Sequence, residues 1–265
     1  EIFLPCVTEY SDDLRRGLKI TYDNRFYVVR PDITSQIAAN YKNGGTTRKY
    51  YICEILDGVD GTLQAGVEFL CDDPLKNKVE VLSVMISVLE NLGIEDFYID
   101  VGSLRIWREC VEEVREFEDE IFRALKRRNL SLLDDIPIPR EKKEDLWDLL
   151  NLRGGKSGFK KVDELLEIIG DERIYADLGT MRPLPYYEDI IFEIYSSQVG
   201  YPIGGGGEYT VNGVNGCGFA LDLALISEIY DGDRDDGATE VRGDLSSSYG
   251  TARDLVKRGK KVVIR

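Results

Sequence analysis

The sequence predicts an α+β fold, and three observations predict it. β-type segments fall into two blocks instead of alternating with helices. A charged, helix-patterned stretch at about 103–170 separates those blocks. A short β–α–β pattern closes the chain from about residue 238. Strands and helices segregated in this way argue for a mostly antiparallel sheet flanked by helices, not for a wound βαβ sheet. The expected domains are a core over 1–230, containing the helical insertion, and a C-terminal segment over 231–265.

IFLPCV, residues 2–7, reads as a short strand. The chain opens abruptly inside it, which raises the expectation of a preceding helix. LKITYD and FYVVR form a hairpin around Asn24. Pro31 and Asp32 then introduce a helix that places Ile33, Ile37 and Ala38 on one face. RKYYICEIL and TLQAGVEFL read as two β segments joined by a polar turn at 57–61. Asp73 is the expected N-cap of a long helix, with Pro74 as its first residue and Gly93 closing it. Leu75, Val79, Leu82, Ile86 and Leu89 recur at helical spacing, and Val81, Val84 and Val88 widen the apolar face. DFYIDVG is a strand, the insertion follows, and β pattern returns with RIYADLG and DIIFEIYSS. The tail reads as strand TEVRGD, a helix through TARDLVKRG, and strand KKVVIR.

Composition excludes several function classes. The net charge of −15 argues against a nucleic-acid partner, because neutralising phosphates needs clustered Lys and Arg. The basic runs at 123–129 and 257–261 read as solvated helix faces or ends. The chain has no His, and its five cysteines are scattered without a CxxC pair, which removes the common zinc sites and every His-based catalytic triad. Free cysteines fit a reducing compartment. No apolar run reaches the roughly 18 residues of a membrane span, and cytoplasm is the expected location.

The stretch GYPIGGGGEYTVNGVNGCGFALDL, residues 200–223, carries four successive glycines, Gly204 to Gly207. It lacks the Lys of a P-loop and the third glycine of a dinucleotide turn. Asn212-Gly213 and Asn215-Gly216 both favour tight turns, so the stretch reads as a glycine-rich strand feeding a hairpin. Glycine inside a strand marks a close approach, either of a ligand or of packed protein atoms.

Other polar clusters are open to two readings when taken singly. Asp32 in RPDIT caps a helix or belongs to a site. Gln64, Gly66 and Glu68 share one face of a strand, turned either to solvent or to a polar ligand. Arg182, Tyr186 and Tyr187 in MRPLPYYEDIIFE are core and rim, or again a site. In order, RPDIT, LQAGVE, RPLPYY…IIFE, GGGEY and GFALDL closely resemble the histidyl-tRNA synthetase-like fold of class II aminoacyl-tRNA synthetases. The corresponding family patterns are RPE/DxT, xQxGxE, RGLDYYTGxxFE, GGRYD and GFAxGxER. The resemblance spans most of residues 1–226, and the insertion is recognisable by position alone.

The RPDIT and QAGVE wording resembles most the branch without synthetase activity, the regulatory subunits of ATP phosphoribosyltransferase. That likeness implies a short catalytic subunit as partner, a dimer of this chain within a hetero-octamer, histidine as regulatory ligand, and no cofactor. It also implies roles for residues. Asp32 and Thr34 would meet the α-amino group, Gln64 and Arg182 the carboxylate side, and Glu68, Tyr186 and Tyr187 the imidazole, with Gly206 and Tyr209 in the glycine-rich floor.

The departures argue against amino-acid activation, which needs arginines to hold ATP phosphates. Asp57 stands where the family's FRxE arginine is expected, Ala224-Leu225 replaces the ER pair, and GVDGT lacks a further arginine. No aminoacylation is expected. The alternatives are a stand-alone amino-acid sensor of synthetase-like fold and a divergent histidyl-tRNA synthetase.

Overall fold

The protein is represented by a computed structural model that describes residues 1–10, 17–30, 32–41, 45–57, 60–127, 129–182, 184, 186–211, 213–232 and 238–265. Near the N-terminus, β1 (Val7–Glu9), β2 (Lys19–Tyr22) and β3 (Arg25–Val29) form an antiparallel sheet in the order β1-β3-β2. Asp23 and Asn24 both take positive φ, 49° and 58°, the two-residue turn whose twist suits a hairpin. The strand expected at 2–7 is displaced, since pairing starts at Val7 opposite Val29. Pro5 has no N–H for a ladder. The carbonyls there accept from side chains instead: Leu4 from Arg30 Nη1 at 2.6 Å, and Pro5 from Gln36 Nε2 at 2.9 Å. Asp32 then caps α1 (Ile33–Asn40), accepting the Ser35 N–H at 2.6 Å; Pro31 lies outside the described residues.

The main sheet is built from β4 (Thr47–Asp57), β5 (Asp60–Cys71), β6 (Tyr98–Ser103), β7 (Arg153–Gly154), β8 (Ile174–Asp177), β9 (Tyr187–Tyr195), β10 (Gly204–Val211) and β11 (Val214–Asp222). Their order is β4-β5-β11-β10-β9-β6-β8-β7, antiparallel except for the β6–β8 pair. One face is covered by α2 (Pro74–Asn91). Asp73 caps this helix by accepting the Leu75 and Lys76 N–H groups, Pro74 opens it, and Gly93 at φ 73° follows its end. Val81, Leu82, Met85 and Leu89 are buried against Phe69, Ile99, Val101 and Phe192. Each such side chain contributes about 1.5–3 kcal/mol on burial, so this contact anchors the sheet.

Asn212 lies outside the described residues, and Gly213 at φ 79° begins the return into β11. Asn215-Gly216 is not a second turn. Both residues sit within β11, opposite Thr210 and Tyr209, and the Tyr209 ring lies over Gly216, so the glycine is used for close approach.

The insertion is helical, as expected: α3 (Leu104–Val111), a 3₁₀ turn at 112–117, α4 (Glu118–Lys126), a 3₁₀ turn at 130–133, α5 (Arg140–Asn151) and α6 (Lys160–Ile169). It has its own core around Trp107, Ile121, Leu125 and Leu146, and Trp107 Nε1 donates to the Leu178 carbonyl at 2.6 Å. After β11, Asp222 caps α7 (Leu223–Ile229). The chain divides into two compact units, 1–230 and 231–265. The second pairs β12 (Thr239–Val241) in parallel with β13 (Val262–Ile264) and links them by α8 (Leu245–Lys257), which starts earlier than the sequence suggests. No described helix is long and apolar enough to cross a membrane.

Candidate functional site

Strand alternation builds the site. Phe69 of β5 packs with α2, so Gln64 and Glu68 project from the opposite face, where they line a cavity of about 260 Å³. Glu68 is 1% exposed, and each of its oxygens is engaged. Oε1 accepts the Thr34 hydroxyl at 2.6 Å, and Oε2 accepts the Tyr209 hydroxyl at 2.6 Å. Thr34 is delivered by the first turn of α1, which the Asp32 cap holds in place. Among the described residues no Lys or Arg forms an ion pair with Glu68. Burial therefore pushes its carboxyl up to about 7; the two hydroxyl bonds act in the other direction, and the neighbouring Asp32 charge adds to the rise.

The expected site residues converge, with one exception. Asp32, Thr34, Gln64, Glu68, Arg182, Tyr186, Tyr187 and Tyr209 all line the cavity. Gly206 does not. Its neighbours Gly205 and Gly207 face the cavity, so alternation turns Gly206 to the other face, where a Cβ would lie 2.7 Å from Phe192 Cζ in the core. The phase of that alternation depends on the strands either side of β10, which the glycines themselves do not reveal.

The glycines make room for the protein's own side chains. A Cβ on Gly205 would collide with the Arg182 guanidinium, one on Gly207 would come 2.9 Å from Tyr187 Cε1, and one on Gly218 would collide with the Glu68 carboxylate. The side chains of the site thus lie flat on the sheet, and the remaining volume is left for a small ligand.

Around this floor, Tyr186 packs edge-on against Tyr187 (centroids 4.8 Å apart) and Tyr209 (6.3 Å). Burial pushes all three phenols above their ordinary range, so they remain O–H donors. Arg182 Nη1 lies 3.8 Å from Glu193 Oε1, and Glu193 Oε2 accepts the Tyr195 hydroxyl at 2.6 Å. Prolines 183 and 185 of this loop lie outside the described residues. Sequence reasoning missed Tyr51, Ile55 and Thr62 in the lining. The signal was the β4–β5 register, which sets Tyr51 opposite Gly66 and ends with Asp57 opposite Asp60; a turn read as 57–61 leaves that register open. The expectation attached to the Asp57 side chain and the Gly58-Val59 segment lies outside the described residues. Ala224 and Leu225 are in the first turn of α7, where their N–H groups bond to Asp222.

A family model described as histidyl-tRNA synthetase matches residues 3–226. Among curated relatives, the ATP phosphoribosyltransferase regulatory subunit of Thermoanaerobacter sp. (strain X514) is 28% identical over 251 residues, covering 78% of this chain and 66% of that protein. The chain thus spans just under two thirds of that relative's length. The protein of the same name from Cellvibrio japonicus (strain Ueda107) is 25% identical, covering 99% of this chain and 81% of its own. A solved ATP phosphoribosyltransferase regulatory subunit/histidyl-tRNA synthetase from Bacillus halodurans superposes with a TM-score of 0.79 at 21% identity, covering 100% of this chain and 83% of that one. A chain of the ATP phosphoribosyl transferase (HisG:HisZ) complex from Thermotoga maritima gives 0.70 at 19%, covering 84% and 90%. These likenesses bear out the class II synthetase-like α+β fold, and with the match over residues 3–226 the chain belongs to the histidyl-tRNA synthetase family.

Proposed function

We propose that this chain is a non-catalytic regulatory subunit of ATP phosphoribosyltransferase that binds histidine in the Glu68 cavity. The observation that carries the reading is the lining itself. Among the described residues it offers one cation, Arg182, against the caged Glu68 carboxylate, the Asp32 cap and a cluster of tyrosine hydroxyls. One guanidinium suits an amino-acid carboxylate. It is too little for a triphosphate and the charge that develops on its α-phosphoryl group during activation. Acids meet the ammonium, and Glu68 with the tyrosines meets imidazole N–H groups. A cavity of about 260 Å³ is also small beside the roughly 300–1,000 Å³ of sites for larger ligands.

The names of the curated relatives support the regulatory role, and the two-component complex from Thermotoga maritima supports a short catalytic subunit as partner. In the assembly we infer, a dimer of this chain sits within a hetero-octamer. It activates the catalytic subunit, and histidine favours the less active state by about 1–3 kcal/mol, the usual range of allosteric coupling. ATP–pyrophosphate exchange in the presence of histidine tests the non-catalytic part. We expect histidine binding without exchange; synthetase-like turnover would overturn the reading, and the stand-alone sensor would be favoured if histidine bound but a short catalytic subunit did not.

A further inference from the structure

Glu68 is a buried carboxylate whose own partners are all neutral, and this has a consequence for any ligand that presents an imidazole to it. We propose, building on the histidine reading above, that the complex holds a single proton between the Glu68 carboxylate and the imidazole ring. Binding then takes up a proton from alkaline solution and releases one into acidic solution.

The cage around Glu68 supplies hydrogen bonds without a counter-charge. Thr34 and Tyr209 each donate one O–H to Glu68, and neither brings a charge. The groups that face Glu68 are Asp32 from the start of α1, Lys49 and Tyr51 from β4, Tyr186 and Tyr187 from the start of β9, and Tyr209 from β10, while Cys217 of β11 lies on the other sheet face beside Phe69. Lys49 is its cross-strand neighbour but forms no ion pair with it. Arg182 is placed over Gly205 and beside Glu193. On the other sheet face, Lys78 of α2 is paired with Glu208 at 2.8 Å. The tyrosine phenols and the Cys217 thiol are all raised by burial, so they keep their protons and do not compete.

Three protonation states of the complex are then unequal. A carboxylate with a neutral imidazole leaves a buried charge served only by neutral donors. A protonated carboxyl with an imidazolium leaves a buried cation without a counter-ion. One proton between the two gives a charge-assisted hydrogen bond in a site of low dielectric. In alkaline solution carboxylate, imidazole and one proton from solvent combine. In acid, carboxylic acid and imidazolium combine and one proton leaves.

The free carboxyl at about 7 and free imidazole at about 6.5 place the crossover between those values. Isothermal titration calorimetry of the full chain with histidine, in two buffers of different protonation enthalpy, reads the proton count directly. We expect uptake of about 0.9 proton per site at pH 8, release of about 0.9 at pH 5.5, and affinity falling about tenfold per pH unit on either side of the crossover. In Glu68→Gln the alkaline uptake should vanish, while the acid release, which belongs to the ligand's own ring, remains. Histidine binding at pH 8 without proton uptake by the wild-type chain would overturn the shared proton and leave the binding reading standing. No histidine binding at any pH would overturn both.

Discussion

Glu68, buried with only neutral hydroxyl partners, opposes the fold's stability. Its unfolded value is 4.5 and its folded value about 7, so below pH 4.5 both states hold the proton and the group is neutral in its effect. As pH rises through that window the unfolded chain ionises first, and stability is lost progressively, by as much as about 3 kcal/mol above pH 7. Urea unfolding at pH 4 and pH 8 should therefore show Glu68→Gln gaining on the wild type between the two pH values; parallel curves would mean that the carboxyl is not desolvated. At Gly218 the constraint is steric. Gly218→Ala drives a methyl into the Glu68 carboxylate, and is expected to cost about 1–3 kcal/mol and to weaken histidine binding. Gly200→Ala, where nothing lies within 4 Å of the added carbon, should do neither. Equal behaviour of the two variants in thermal unfolding would refute the crowding argument.

Among the elements, those whose signals are local were legible. Asp32 and Asp73 are caps because side-chain oxygens two or three residues ahead of bare N–H groups need no tertiary partner. Gln64 and Glu68 share a face because a strand's period is two. Gly206 and the IFLPCV strand were misread because each depends on a neighbour: the phase of β10 on β9 and β11, and the pairing of residues 2–6 on a proline that cannot donate. Tyr51 was missed for want of a hairpin register. The ion pair between Lys78 of α2 and Glu208 of β10, each 8% exposed, was equally invisible, since 130 positions separate its ends. Lys78→Met leaves Glu208 buried without its cation, and is expected to cost about 3–5 kcal/mol at pH 7 by denaturant unfolding. A loss below 1 kcal/mol would indicate that water reaches the pair.

For the whole molecule, the strongest reading came from order along the chain. Five short polar motifs, each ambiguous alone, lie on α1, β5, the loop before β9, β10 and β11, and the sheet order brings the last four side by side around one cavity. Periodicity cannot show that convergence; the resemblance could, and the cavity has the residues it implied except Gly206. In the proposed assembly, the effect of the cavity on a partner would be a property of two states of the whole complex. The most direct measurement is phosphoribosyl-ATP formation by a short catalytic subunit from the same genome, alone, with this chain, and with this chain plus histidine. The account expects activation by the chain and its reversal by histidine by about 5–150-fold in affinity-linked coupling, with the reversal lost in Glu68→Ala. A rate unchanged by the folded chain, or an inhibition that survives Glu68→Ala, would contradict it.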